Sequence, residues 1–153
     1  MEYEISIESL EPQPYVGITV QTTVNEIGQT LQTCYSELME FMQDNDIVPL
    51  EPPFARYNRM EQDGTVELVA GVPVPEGCKG KGKFKYGMLP GGEVAFTSYI
   101  GPYENLHKPV MALQAWMDDK GITPKGGHWE HYVDDPEEVP APQLRTDIYW
   151  PIA

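Results

Sequence analysis

One order of predicted elements occurs twice along this chain, and this repeat restricts the fold more than any other feature of the sequence. The first copy begins with a β-branched strand over residues 15–20. A helix follows, because apolar side chains recur at helical spacing over residues 27–42. Two strands at residues 54–60 and 65–74, joined by an Asp-Gly turn, then form a hairpin.

The second copy has the same order about 75 residues later. Its first strand covers residues 92–99, a helix follows, and its paired strands cover residues 127–133 and 144–150. The acidic, proline-rich stretch 134–142 between them is predicted to be an exposed loop. A single strand–helix–strand–strand unit has a helix on only one face of its sheet, so two units are expected to pack together. The groove between two such modules suits a ligand.

The sequence therefore predicts an α+β fold with antiparallel sheets and helices packed on one face. Residues 1–153 are expected to form a single domain, with module 1 at about 1–75 and module 2 at about 86–153. Residues 76–85 are rich in glycine and lysine and have little to bury, so they are predicted to be a flexible linker. They lack the strand–GxxxxGK[ST]–helix context of a phosphate-binding loop.

Three local patterns complete this prediction. Residues 3–7 alternate and indicate a short first strand. Thr23 and Glu26 have the spacing of a capping box at the start of the first helix. Cys34 and Cys78 are too few for a disulfide scaffold and lack metal-ligand spacing.

The charge balance limits the class of partner. The chain has 10 basic and 24 acidic residues, a formal charge of −14 and a pI near 4.4. Such a surface repels nucleic acid phosphates and anionic membranes, and it attracts cations at long range. The alternative account of the total charge is that the acidic residues only keep the protein soluble. Because the sequence shows neither a signal peptide nor a run of transmembrane length, the protein is expected to be cytoplasmic.

Candidate site residues lie on the strand predicted at residues 127–133. Successive strand side chains face opposite ways, so His128, Glu130 and Tyr132 share one face and His131 lies on the other. This separation argues against a metal site built from the two histidines and Glu130. A carboxylate flanked by aromatic rings is the most suggestive local feature, and its alternative is a strand carboxylate facing solvent.

Three motifs resemble the GyrI-like small-molecule-binding family, the effector-binding domain of AraC- and MerR-type bacterial transcription regulators. They are GPYE at 101–104, WEHY at 129–132 followed by Asp135-Pro136, and LRTDIYWP at 144–151. The resemblance covers nearly the whole chain. It implies SHS2 modules, that is, strand–helix–strand–strand units, related by a pseudo-twofold axis with a ligand cleft between them. Since no helix-turn-helix precedes the first strand, it implies a stand-alone, multidrug-binding relative of the regulators without direct nucleic acid binding.

The resemblance also implies site residues. In that family a glutamate at the position of Glu130 neutralises lipophilic cations, and aromatic rings add cation–π attraction of about 0.5–2 kcal/mol each. In the repeat Glu130 aligns with Ala55, and Tyr132 aligns with Tyr57. For the aromatic and methionine candidates other than Glu130, the alternative role is packing in the core. The predicted ligand-binding residues are Glu130, Tyr132, Tyr57, Ala55, Tyr99, Tyr149 and Met39.

Three functions follow as hypotheses. The first is a binding protein for lipophilic, cationic small molecules that needs no cofactor and no metal. The second, which the resemblance to one branch of the family implies, is a hydrolase of cyclopropane-type alkylating compounds in the same cleft. Glu130 would polarise water or stabilise developing positive charge, and Tyr132 or Tyr57 would be its proton partner. The third is an acidic protein that inhibits DNA gyrase or partners a regulator. Binding is favoured over hydrolysis because no nucleophile or base dyad is visible in the sequence.

Overall fold

The computed structural model describes residues 3–153. Its helices are α1 Ile27–Asp44 and α2 His107–Lys120. Within the described residues neither helix combines the length and the apolar content needed to cross a membrane. The strands, numbered along the chain, are β1 Ile5–Leu10, β2 Gln13–Thr23, β3 Phe54–Met60, β4 Thr65–Pro73, β5 Lys85–Leu89, β6 Gly92–Ile100, β7 Trp129–Tyr132 and β8 Arg145–Pro151.

The chain divides into two compact units. Pro12–Pro90 form one, called here the N-unit, and Met1–Glu11 with Gly91–Ala153 form the other, the C-unit. Each combines one helix with an antiparallel sheet, so the α+β class predicted from the sequence is confirmed.

In the N-unit the strands pair in the order β3-β4-β2-β5. Val16 and Ile18 of β2 lie opposite Val72 and Ala70 of β4, and all four are buried. Helix α1 packs on β2 and β4 and buries the apolar stripe that its sequence predicts. The buried residues of this stripe are Leu31, Cys34, Leu38, Phe41 and Met42.

In the C-unit the strands pair in the order β1-β6-β8-β7. Leu113 and Met117 of α2 pack against Ala95 and Tyr99 of β6 and Ile148 of β8, which together form the core of this unit. This core defines the helix-covered face of the sheet. Any strand residue in register with Ile148 therefore faces the same side.

The two units share the element order that the repeat predicts, β2-α1-β3-β4 and β6-α2-β7-β8. In each unit one further strand extends the sheet, β5 beside β2 and β1 beside β6. The position of β1 in the sequence assigns it to module 1. In the structure the backbone of β1 pairs with β6 of the C-unit. Strand pairing depends on long-range hydrogen bonds, which the order of elements along the chain does not reveal.

Two local predictions differ from the structure. The stretch 76–85, expected as a flexible linker, contacts α1 near its end: the ring of Phe84 stacks on Phe41 with centroids 4.3 Å apart, and Lys83 pairs with Glu37. The capping box is also absent, because neither Thr23 nor Glu26 makes a side-chain cap hydrogen bond.

Candidate ligand site

Strand β7 and the residue before it bring three polar side chains into contact. The Tyr132 hydroxyl donates to Oε1 of Glu130 at 2.9 Å. Nε2 of His128 lies 3.1 Å from Oε2 of the same carboxylate. When Glu130 is ionised its carboxylate only accepts hydrogen bonds, and Nε2 is then the donor of the second contact. These contacts confirm that the three residues, called here the Glu130 cluster, share one face of the strand.

The Glu130 carboxylate is enclosed. Glu130 is 4% exposed, although glutamate is almost never buried unless it is paired. It lies in register with Ile148 of β8 and therefore faces the helix-covered side of the C-unit sheet. Its burial excludes the alternative of a strand carboxylate that faces solvent.

Aromatic rings adjoin the cluster on two sides. The Tyr103 ring meets Tyr132 edge-on with centroids 5.4 Å apart, and the Trp150 indole lies 4.9 Å from the imidazole of His128. Tyr103 belongs to the GPYE motif and Trp150 to the LRTDIYWP motif. The three motifs that resemble the family thus meet around Glu130, although they are far apart in the sequence.

Tyr103 places a neutral phenol next to the Glu130 cluster. Burial raises its pKa, and the charges of Asp134 and Asp135 raise it further. Its hydroxyl donates to the backbone carbonyl of Asp134 at 3.4 Å. The Tyr103 phenol therefore adds no negative charge to the site.

Thr146 is a site residue that the sequence did not suggest. It lies in register with Tyr132 on β7 and with Tyr99 on β6, so it shares the face of Glu130. Its side chain is fully buried, and Oγ1 has no hydrogen-bond partner within residues 3–153. A buried polar group left unpaired costs about 1–3 kcal/mol. Only cross-strand register reveals this residue, because nothing in its local sequence marks it.

The two other C-unit candidates, Tyr99 and Tyr149, lie on opposite faces of the sheet. Tyr99 lies on the face of Glu130, but it belongs to the core and donates its hydroxyl to the carbonyl of Pro102 at 3.0 Å. Tyr149 lies on the opposite face, where it stacks on Trp129 with centroids 5.6 Å apart. His131 also contacts Tyr149 there, as the strand alternation predicts.

The remaining candidates belong to the N-unit. Ala55 and Tyr57 lie in register with Ala70 and Leu68 of β4 and face the same side as those core residues. Met39 of α1 is 47% exposed. A role for these three residues in ligand binding stays a prediction, as does the cleft between the modules.

The face opposite Glu130 carries a separate polar network. Arg145 pairs with Asp147 at 2.9 Å, and the Ser98 hydroxyl donates to the same carboxylate at 2.8 Å. The hydrogen bond and the charge of Asp147 raise the pKa of Arg145. This network ties β6 to β8 and lies on the side of the sheet away from the Glu130 cluster.

Residues 3–153 match the family described as GyrI-like small molecule binding domain. The chain belongs to this family. The shared fold is evident in the EcmrR C-terminal domain, which is similar with a TM-score of 0.84 at 16% identity, over 100% of this chain and 99% of that one. EcmrR in its complex with DNA has a TM-score of 0.88 at 15% identity, over 98% of this chain and 57% of that one. The GyrI-like chain thus spans little more than half of the longer protein.

Two further structures share the GyrI-like fold. SAV2435 bound to tetraphenylphosphonium has a TM-score of 0.70 at 17% identity, over 100% of this chain and 94% of that one. A hydrolase from Listeria innocua has a TM-score of 0.69 at 13% identity, over 98% of this chain and 92% of that one. No curated protein matches the sequence significantly. At these identities the structural neighbours establish the fold alone.

Proposed function

We propose that this GyrI-like chain is a cytoplasmic protein that binds lipophilic cations, with Glu130 as the counter-charge. The observation that carries the proposal is that Glu130 is only 4% exposed and has aromatic rings next to its cluster. A buried charge is costly unless it is paired. Within residues 3–153 the Glu130 carboxylate contacts a phenol and an imidazole, neither of which is a permanent cation. A cationic ligand would supply that charge. The free thiols of Cys34 and Cys78 suit a reducing compartment.

The rings around the cluster support a lipophilic rather than a hydrated cation. Tyr103, Tyr132 and Trp150 offer apolar area, and each cation–π contact adds about 0.5–2 kcal/mol. The formal charge of −14 attracts cations towards the protein at long range. SAV2435, which shares the fold, is bound to a cation of this type.

The experiment compares two ligands of nearly equal size and shape and of opposite charge, tetraphenylphosphonium and tetraphenylborate. Apolar burial is similar for both, so a difference in affinity reports the charge of the site. We expect calorimetry at pH 7.5 to show tetraphenylphosphonium binding at least about 100-fold more tightly, because an anion would meet the buried carboxylate. Equal affinities, or preference for the borate, would refute a cation site.

Hydrolysis is the second candidate, and the contacts of Glu130 favour it. A carboxylate in contact with both an imidazole and a phenol can act as an acid–base set, whereas strand alternation predicts only that the three side chains share a face. The fold is shared with a hydrolase from Listeria innocua. In such a reaction Glu130 would draw a proton from water as the water oxygen attacks a strained ring carbon. The ring C–C bond would break and Tyr132 would protonate the carbon released, after which the proton on Glu130 would return to Tyr132.

Mass spectrometry of a cyclopropane-type electrophile incubated with the protein tests this candidate. Hydrolysis predicts a ring-opened product heavier by one water, formed catalytically by the wild type. Formation is expected to fall at least about 100-fold in Glu130→Gln, because the base is lost. Unchanged electrophile with the wild type would leave binding as the function of the site. The gyrase-inhibitor and regulator-partner hypotheses stay predictions.

A further inference from the structure

His128 and Glu130 form a shielded pair at the proposed binding site. Their side chains are 12% and 5% exposed, and Nε2 lies 3.1 Å from the carboxylate. Among the described contacts, the face of the imidazole meets the indole of Trp150, which does not titrate. Titratable groups beside the pair include the phenols of Tyr132 and Tyr103, and burial raises the pKa of Tyr103.

The pair offers two ways to neutralise one buried negative charge. A proton on the second imidazole nitrogen makes His128 a cation in direct contact with Glu130, and so does a bound cationic ligand. Both positive charges cannot be held beside one carboxylate in a poorly solvated site without strong repulsion. The carboxylate therefore accommodates one of them at a time.

We propose that His128 exchanges its proton for the cationic ligand. This inference rests on the proposed binding function and concerns its regulation. In the ligand-free protein His128 carries a proton that neutralises Glu130, and binding of a lipophilic cation releases this proton to solvent. Neutral lipophilic ligands, which bring no charge, leave the proton in place.

The sign of the pH dependence follows from proton counting. The ligand-free state holds one more proton on the pair than the complex does, so raising the pH favours the complex. We expect the affinity for tetraphenylphosphonium to rise with pH, by at most about tenfold for each pH unit, because one proton is exchanged for each ligand.

Calorimetry tests the exchange directly. Titration of tetraphenylphosphonium at pH 6.5 in phosphate and in imidazole buffer, which differ in ionisation enthalpy, gives the number of protons released. The wild type is expected to release a substantial fraction of one proton, whereas His128→Gln releases none and binds with nearly constant affinity from pH 5.5 to 7.5. Glutamine retains a donor for Glu130 but does not titrate. The matched control His107→Gln, at an exposed histidine of α2, is expected to behave as the wild type.

The outcomes separate this inference from the proposed function. Binding without proton release, or proton release that persists in His128→Gln, overturns the exchange and leaves cation binding intact. Absence of binding at every pH refutes the proposed function and, with it, the exchange. NMR of the ligand-free protein gives an independent reading, because a His128 ring that is neutral at pH 6.5 also overturns the proposal.

Discussion

The Glu130→Gln variant is expected to bind tetraphenylphosphonium at least about 100-fold more weakly than the wild type, a loss of about 3 kcal/mol. Glutamine has nearly the same size as glutamate and can still hydrogen-bond to Tyr132 and His128. The substitution therefore removes the charge and little else. Calorimetry at pH 7.5 measures the loss, and circular dichroism checks that the variant is folded.

The control for this prediction is Glu93→Gln, the same substitution at an exposed position of β6 in the same unit. It removes one negative charge from the surface, so its effect on affinity is expected to stay below about threefold at physiological salt. If Glu130→Gln bound the phosphonium as tightly as Glu93→Gln does, Glu130 would not be the counter-charge. If both variants lost affinity equally, the overall charge of the protein would explain the binding.

Replacing Trp129 with alanine is expected to lower the free energy of unfolding by about 3–5 kcal/mol. Trp129 is 1% exposed and stacks on Tyr149 with ring centroids 5.6 Å apart. The substitution leaves a large cavity on the face of β7 opposite Glu130. Stability is typically about 5–15 kcal/mol for a domain, so this loss is a large part of the total. Urea denaturation followed by circular dichroism measures it.

Met111→Ala provides the comparison, because Met111 lies on α2 and is 63% exposed. Its effect on the free energy of unfolding is expected to stay within about 0.5 kcal/mol. A Trp129→Ala variant that lost no more stability than Met111→Ala would contradict the packing of the indole described above.

Much of the fold follows from short-range patterns in the sequence. The apolar stripe of α1 is visible as a helical period, and the β3–β4 hairpin is visible from its turn and its flanking β-branched residues. Strand alternation correctly places Glu130 with His128 and Tyr132, and His131 on the other side. Each of these depends on neighbours within a few residues.

Other features have no local signal. The edge strands β1 and β5 pair with β6 and β2 through hydrogen bonds between distant segments. Phe84 docks on Phe41 from a segment whose composition indicates a linker. Tyr149 faces away from Glu130 because of the β7–β8 register, which alternation within one strand does not give.

The sequence by itself determined the order of elements, the α+β class and which side chains of β7 share a face, because helical and strand periods are properties of contiguous residues. Only the tertiary structure decided that Glu130 is buried on the helix-covered face of the sheet and that the Thr146 hydroxyl beside Tyr132 has no partner within residues 3–153. It also decided that the rings of Tyr103 and Trp150 lie next to the Glu130 cluster. Burial and cross-strand register arise when distant segments pack together, so no stretch of the chain encodes them alone.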